Sequence, residues 1–314
     1  MRPLRVVFFG SPHFALPSLE ALLQRHEVVM VVAQPDKPAG RGMRVKAPPV
    51  AQRARELGRE LWQPTKLRGD QTFLTRLAEL APDVGVTAAY GRILPPKLLD
   101  IPRHGVLNVH ASLLPKYRGA APIQWALISG EEETGVSIMQ TEEGLDTGPV
   151  RLQRRTRVAP DEDAASLSAR LSRLGAEALT EALDLLAEGT LPLTPQDDAQ
   201  ATLAPLLKAE DGHVRWADSA RAVHDRFRGV SMWPGTSFES GGERVKVTAV
   251  APLPNRRTDG SEPGTVLEVG PEGLVVAAGS GAVLLEAVKP AGGREMAARD
   301  WANGREVGRG ARLG

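Results

Sequence analysis

A chain of 314 residues, 42% apolar and 25% charged with a formal net charge of +1, has the composition of a globular protein and excludes a fibrous or disordered one. Near-neutrality also excludes a whole-molecule field that would gather nucleic acid or anionic membrane, so any basic footprint must be local. The lack of cysteine excludes disulfides, thiolate metal sites and a cysteine nucleophile, and is compatible with a reducing compartment.

The opening Met1-Arg-Pro-Leu-Arg5 leads into a short apolar run, Val6–Phe9, too brief for a secretory leader. No stretch approaches the ~18 uninterrupted apolar residues of a membrane helix, and the expected setting is cytoplasmic. Val6–Phe9, Val28–Ala33, Val84–Ala89, Val106–Val109 and Val136–Gln140 read as buried strands. Pro17–Gln24, Pro49–Leu57, Asp70–Glu79 and Pro122–Ser129 read as helices between them, several opening on a proline whose missing N–H costs nothing there. This alternation predicts a mostly parallel sheet with helices on both faces, in which ligands lie beyond the carboxyl ends of the strands. Asn108 and His110 are expected at one such end, with Asp146 following the next strand.

Gln34 to Pro49 is longer than the ~2–6 residues usual after a strand and reads as an insertion with a role of its own. Residues 36–68 carry Lys37, Arg41, Arg44, Lys46, Arg53, Arg55, Arg59, Lys66 and Arg68 against Asp36, Glu56 and Glu60. That stretch suits the phosphates of an RNA, although Arg53, Arg55 and Arg59 read better as a solvated helix face. A long amphipathic helix spans Ala164 to Glu188, with Leu167, Leu171, Leu174, Leu179, Leu183 and Leu186 on one stripe, Asp161 or Asp163 to cap it and Gly189 to end it. Leu191–Pro205, rich in Pro, Thr, Gln and Asp, reads as an interdomain connection. Because single cores seldom grow beyond roughly 250–300 residues, two domains are expected, with limits at 1–189, a linker over 190–205, and 206–314. In the second, Val245–Val250, Thr265–Val269, Leu274–Ala278 and Val283–Ala287 predict a small antiparallel sheet or barrel.

The segment Asn108-Val-His110-Ala-Ser112-Leu-Leu-Pro115-Lys-Tyr-Arg118-Gly119, with Glu143-Gly-Leu-Asp146-Thr-Gly148 further on, gathers an amide, an imidazole and a carboxylate. An amide N–H can donate to an oxygen gaining charge, an imidazole can donate or hold a proton, and a carboxylate can orient the ring or move a proton through water. A turn-capping Asn, a polar core His and a loop-capping Asp would leave the same pattern, because Asn-x-His alone is weak.

The surrounding segments carry more. Phe9-Gly-Ser-Pro12, Gln34-Pro-Asp-Lys-Pro38, Ala89-Tyr-Gly91 with Ile93-Leu-Pro95, the two blocks above, Ala201-Thr202 with Ala204-Pro205, Trp233-Pro-Gly235, Pro263-Gly-Thr-Val266 and Pro290-Ala-Gly292 together resemble the folate-dependent formyltransferases, most closely those that act on methionyl-tRNA. The resemblance implies a Rossmann-like sheet followed by a small OB-like β-barrel that assists tRNA binding. It implies 10-formyltetrahydrofolate as co-substrate and methionyl initiator tRNA as acceptor, with no metal, membrane or protein partner. Asn108, His110 and Asp146 then fall on the catalytic triad, the first two stabilising the oxyanion and the third organising water and proton flow. Ser112, Leu113, Leu114 and Pro115 match the folate-contacting segment, with Tyr90, Gly91, Ile93, Leu94 and Pro95 and with Glu143, Gly144 and Leu145 completing the pocket. Lys37, Arg41, Arg44 and Lys46 match the tRNA-reading loop, Arg41 being placed to enter the acceptor stem. Lys208, Arg215, Arg226, Arg228, Arg244 and Lys246 are the second domain's RNA candidates by the same resemblance.

His13, Arg92 and Ser231-Met232 depart from the usual pattern without touching the triad. Formyltransferases for glycinamide ribonucleotide or sugar nucleotides, a formyltetrahydrofolate hydrolase and a non-catalytic RNA-binding protein share parts of this reading. Gly10-Ser-Pro-His-Phe14 supplies neither the glycine-rich phosphate turn expected of the first nor the G-x-G-x-x-G of a dinucleotide oxidoreductase.

Overall fold

In the computed structural model, which describes residues 2–39 and 44–314, the strands β1 (Arg5–Gly10), β2 (Glu27–Val32) and the hairpin β3 (Lys37–Ala39) and β4 (Arg44–Lys46) come first. They are followed by β5 (Leu61–Trp62), β6 (Val84–Ala88), β7 (Val106–His110), β8 (Glu133–Gln140) and β9 (Val150–Arg157). Between and after them lie helices α1 (Leu16–Arg25), α2 (Pro49–Glu56), α3 (Gln71–Glu79), α4 (Pro96–Leu99), α5 (Pro122–Ile128) and α6 (Ala164–Glu188). The main sheet runs β5-β2-β1-β6-β7-β8-β9. From β5 to β7 every neighbouring pair is parallel, and β8 and β9 add an antiparallel edge. The mostly parallel sheet expected from the alternation is therefore present.

Burial explains which strands the pattern could reveal. In β1 the residues Val6 to Gly10 are buried, and all of β6, Val84 to Ala88, is buried, the near-continuous apolar signature of strands covered on both faces. Strand β9, Val-Arg-Leu-Gln-Arg-Arg-Thr-Arg, is half-buried to exposed, and its charges blunt an edge that would otherwise recruit another strand. The same charges hide it from a hydrophobic reading. On one face, Val7, Phe9, Met30 and Val32 pack with Phe73, Leu74 and Leu77 of α3 and with Tyr90, Leu94 and Leu98. Asp70 caps α3 by accepting the Phe73 N–H at 3.0 Å, and Asp163 caps α6 through the Ser166 N–H at 2.9 Å. Gly189, at φ +73°, ends α6.

The chain forms two compact units. The first runs to Pro122 and takes in Glu133–Arg157 and Leu167–Pro205; the second takes Ile123–Glu132, Val158–Ser166 and Leu206–Gly314. The division is thus interleaved rather than a single cut at residues 190–205. Within the second unit the cause is visible: the buried guanidinium of Arg228 donates to the carbonyls of Ala159 and Glu162 at 3.3 and 3.0 Å and pairs with buried Asp225 at 2.5 Å. Two of the residues proposed from sequence for RNA contact, Arg226 and Arg228, are buried. Helix α7 (Ala220–Gly229) precedes β10 (Thr236–Ser240), β11 (Glu243–Leu253), β12 (Val266–Gly270), β13 (Gly273–Ala277), β14 (Ala282–Pro290), β15 (Met296–Ala297) and α8 (Ala298–Gly304). These strands make an antiparallel sheet in the order β10-β11-β14-β13-β12, with β15 on β14. Its core holds Trp216, Phe238 and Trp301, the Phe238 ring centroid lying 6.0 Å from that of Trp216 and 5.5 Å from that of Trp301. Among the described residues no helix is long and apolar enough to cross a membrane.

Candidate functional site

Asn108 and His110 are two apart on β7, so both project from the same face of the strand. Asp146 reaches them by an unexpected route. Strand β8 is antiparallel to β7, pairing Leu107 with Gln140 and His110 with Ser137, so the loop after Gln140 begins beside the start of β7. It must run back along that strand to bring Asp146 to Asn108, which sits within β7 rather than beyond its end. The site is therefore not a simple row of carboxyl ends.

The contacts fix the orientation of each group. Asn108 Nδ2 donates to Asp146 Oδ1 at 3.4 Å, and Thr87 Oγ1 donates to Asn108 Oδ1 at 2.8 Å. A carboxylate only accepts, so the amide nitrogen must face Asp146; the Thr87 hydroxyl on the other side must then donate. His110, 5% exposed, places Nε2 at 3.0 Å from the Tyr117 carbonyl. That oxygen also only accepts, so Nε2 carries the hydrogen and the neutral ring keeps its lone pair on Nδ1, 3.7 Å from Asp146 Oδ2. A neutral His110 can accept at Nδ1; only the imidazolium can donate there.

Asp146 is held at both ends. Its Oδ2 accepts the Gly119 N–H at 2.9 Å, and its own carbonyl accepts Gln196 Nε2 at 2.8 Å. Its φ of +51° is in the left-handed region, costing a non-glycine residue about 1–3 kcal/mol, so surrounding bonds are needed to hold it. The close packing is glycine-dependent: a Cβ on Gly148 would lie 1.9 Å from the Gln140 carbonyl oxygen, and one on Gly119, at φ +127°, 2.7 Å from that of Ala204. The segment read as a mere connection packs here: Arg118 N–H donates to Thr202 O and Ala204 N–H to Arg118 O, each at 2.8 Å.

One family model, described as formyl transferase, matches residues 4–183, and a second, formyl transferase C-terminal domain, matches residues 206–306. The chain belongs to the formyl transferase family. A methionyl-tRNA formyltransferase of Deinococcus radiodurans is 54% identical over 98% of this chain and 95% of that protein. One from Thermus thermophilus is 51% identical over 99% of each. Among solved structures, an N-formyltransferase from Helicobacter canadensis in complex with folinic acid and dTDP-3-aminofucose superposes with a TM-score of 0.69 at 16% identity, covering 90% of this chain and 98% of that one. HypX from Aquifex aeolicus in complex with tetrahydrofolic acid gives 0.60 at 19% identity, covering 96% and 47%. At these identities the two structures speak for the formyl transferase fold alone.

The other residues singled out from sequence divide into groups. Ser112 is wholly buried; its hydroxyl donates to the Lys116 carbonyl at 2.6 Å, while its carbonyl accepts from Ser137 Oγ at 2.7 Å. Leu114 is buried, with N–H and carbonyl taken by Ser137 and Gln153, while Leu113 and Pro115 are half-buried. The Tyr90 and Leu94 side chains are buried, at 3% and 5% exposure. Both belong to the apolar core, where burial pushes the Tyr90 hydroxyl up to about 12 and leaves it without a partner among the described residues. The backbone at Tyr90 and Gly91 is instead tied to Gln34 Nε2 at 2.9 and 3.4 Å, and Pro95 is half-buried. Ile93 at 82% and Leu145 at 61% exposure are large apolar side chains left in solvent, and Glu143 and Gly144 are exposed beside Leu145.

Among the described residues of the insertion β3 and β4 pair antiparallel, and their register sets exposed Lys37 directly opposite exposed Lys46. Arg44 pairs with Ala39 in that register; Arg41 lies outside the described residues. Arg53 is bound to Glu20 at 2.5 Å and Arg55 to Asp36 at 3.1 Å, and the Gln63 hydrogen bond, with Arg55 beside it, holds the Asp36 carboxyl below its ordinary value. The solvated-face reading of those two arginines stands. Thr87 and Gln196 escaped sequence reasoning. Thr87 is a polar residue in an otherwise apolar strand, a faint signal; Gln196 had none outside the tertiary structure.

Proposed function

We propose that the chain transfers the formyl group of 10-formyltetrahydrofolate to the α-amino group of methionyl initiator tRNA, in the cytoplasm, for translation initiation. The observation that carries the reading is the convergence of Asn108, His110 and Asp146 within 3.4 and 3.7 Å. It occurs in a chain 54% identical to a relative named for this reaction.

In the transfer, the methionine nitrogen bonds to the formyl carbon as the bond to folate N10 breaks; the amine gives up one proton and N10 gains one. Of the two N–H bonds of Asn108, one turns to Asp146; the other donates to the formyl oxygen as it gains charge. His110, its ring held by Nε2, accepts the amine proton at Nδ1, and Asp146 stabilises the imidazolium so formed. As imidazolium, Nδ1–H then donates to the oxyanion or returns the proton to N10. Exposed Ile93 and Leu145 supply apolar surface for the folate heterocycle. Lys37 and Lys46, like charges directly opposite on a two-stranded hairpin, repel each other until an anion lies between them. A tRNA phosphate supplies it, with Arg41 and Arg44 in the same insertion and auxiliary RNA contacts from residues 206–314.

The test is formyl transfer from 10-formyltetrahydrofolate to charged initiator tRNA beside charged elongator methionine tRNA, with Asn108→Ala and His110→Ala as controls. Transfer confined to the initiator, and reduced on the order of 10²–10³-fold by Asn108→Ala, is expected. Folate turnover without formylated tRNA would refute the acceptor.

A further inference from the structure

From Pro192 to Gln200 every residue but one is exposed. The exception, Gln196, places its side-chain nitrogen 2.8 Å from the carbonyl oxygen of Asp146 and 2.6 Å from that of Gly148. Its side-chain oxygen accepts from Arg118 Nε and Nη2 at 3.1 and 2.9 Å. Arg118 is 7% exposed and its Nη2 also meets Asp198 at 2.7 Å. One carboxamide thus spans the turn that carries Asp146, and a buried guanidinium fixes that carboxamide. The bonds are directional: both contacts to the turn need N–H donors, and the Arg118 contact needs an acceptor. Segment 196–204 also grips the other side of Asp146, because Thr202 and Ala204 pin Arg118, the neighbour of the Gly119 amide bound to Oδ2.

We propose that Gln196 is a positioning residue for formyl transfer, setting the Asp146 carboxylate against Asn108 and His110 through the backbone of residues 146–148. The proposal rests on the function argued above. Gln196 touches no reacting atom; it over-determines a left-handed residue that its own backbone would not keep. A displaced turn carries the carboxylate away from His110 Nδ1, and misplacement on the order of 1 Å can cost about 100-fold in rate.

The decisive variant is Gln196→Glu, which keeps acceptors for Arg118 while removing both donors to the turn. Gln196→Met removes both functions at similar volume without adding charge, and Asp198→Ala loosens Arg118 without touching the turn. Steady-state formyl transfer, with thermal melts of each full-length variant, is measured beside Asp146→Asn. Gln196→Glu and Gln196→Met are expected to lower kcat roughly 10- to 100-fold with KM for either substrate within about twofold, while Asp198→Ala keeps most of its kcat. Wild-type kcat in folded Gln196→Glu or Gln196→Met overturns the proposal, as does failure of both to fold, which would mark Gln196 as a purely structural anchor. If Asp146→Asn itself keeps wild-type kcat, the catalytic reading of the triad falls; if it is inactive while the Gln196 variants are not, only the role of Gln196 does.

Discussion

Replacing Thr87 by Val isolates one bond of the site. The Thr87 hydroxyl donates to Asn108 Oδ1 at 2.8 Å from a position 9% exposed in β6. Val keeps the volume and β-branching that the strand requires while deleting the donor. Among the described residues Asp146, at 3.4 Å, is then the one partner left to hold the Asn108 amide in its orientation. A neutral hydrogen bond contributes about 0.5–1.5 kcal/mol net, and each 1.36 kcal/mol is a factor of about ten in rate. The expected loss in kcat is therefore about 2- to 12-fold, well short of the roughly 10²–10³-fold set for losing an oxyanion donor outright. The assay is steady-state formylation with KM measured for both substrates and a thermal melt for each variant. Thr87→Ser, which keeps the donor, should restore most of the rate. Unchanged kcat in Thr87→Val, or a loss confined to KM, would refute the argument that Thr87 sets the amide's orientation.

Tyr90→Phe should leave kcat unchanged and hold or raise Tm, because it deletes a hydroxyl buried without a partner among the described residues; a raised folate KM would return Tyr90 to the pocket. Lys46→Ala should raise the KM for tRNA and lower the slope of log affinity against log salt by about 1, with folate KM unaffected; equal salt slopes would count against the hairpin as a phosphate site. Burial, then the neighbouring Arg25 charge, lowers the pKa of His26 from 6.5, and burial likewise lowers that of His224. Between their folded values and 6.5 the unfolded chain binds more protons, so stability should fall as pH drops through that window and be insensitive to these groups above it. Urea midpoints across it should show a shallower decline in His26→Gln; an identical slope would remove His26 as a cause.

Legibility followed the kind of interaction. Val6–Phe9, Val84–Ala88 and Val106–Val109 could be found because burial on both faces demands near-continuous apolar residues. Helix α6 was bounded by its leucine stripe and by caps that act within a few residues of chain. Strand β9, made of charges, and two-residue β5 have no such periodicity. Among the residues singled out from sequence, Ile93 and Leu145 are exposed, whereas the Tyr90 and Leu94 side chains turn into the core. Which way a residue faces in an irregular loop has no period to betray it.

The sequence by itself determined the alternation of buried strands and helices and the two-part organisation, and it offered Asn108, His110 and Asp146 as a candidate amide, imidazole and carboxylate, because burial periodicity and side-chain chemistry are properties of residues and their near neighbours. Tertiary structure alone decided the antiparallel turn of β8 that sends the Asp146 loop back along β7, the ring hydrogen of His110 held by Tyr117, and the grip of Gln196 on a turn 50 residues away. Those depend on hydrogen-bond directions between distant segments, which exist only once the chain has brought donor and acceptor together.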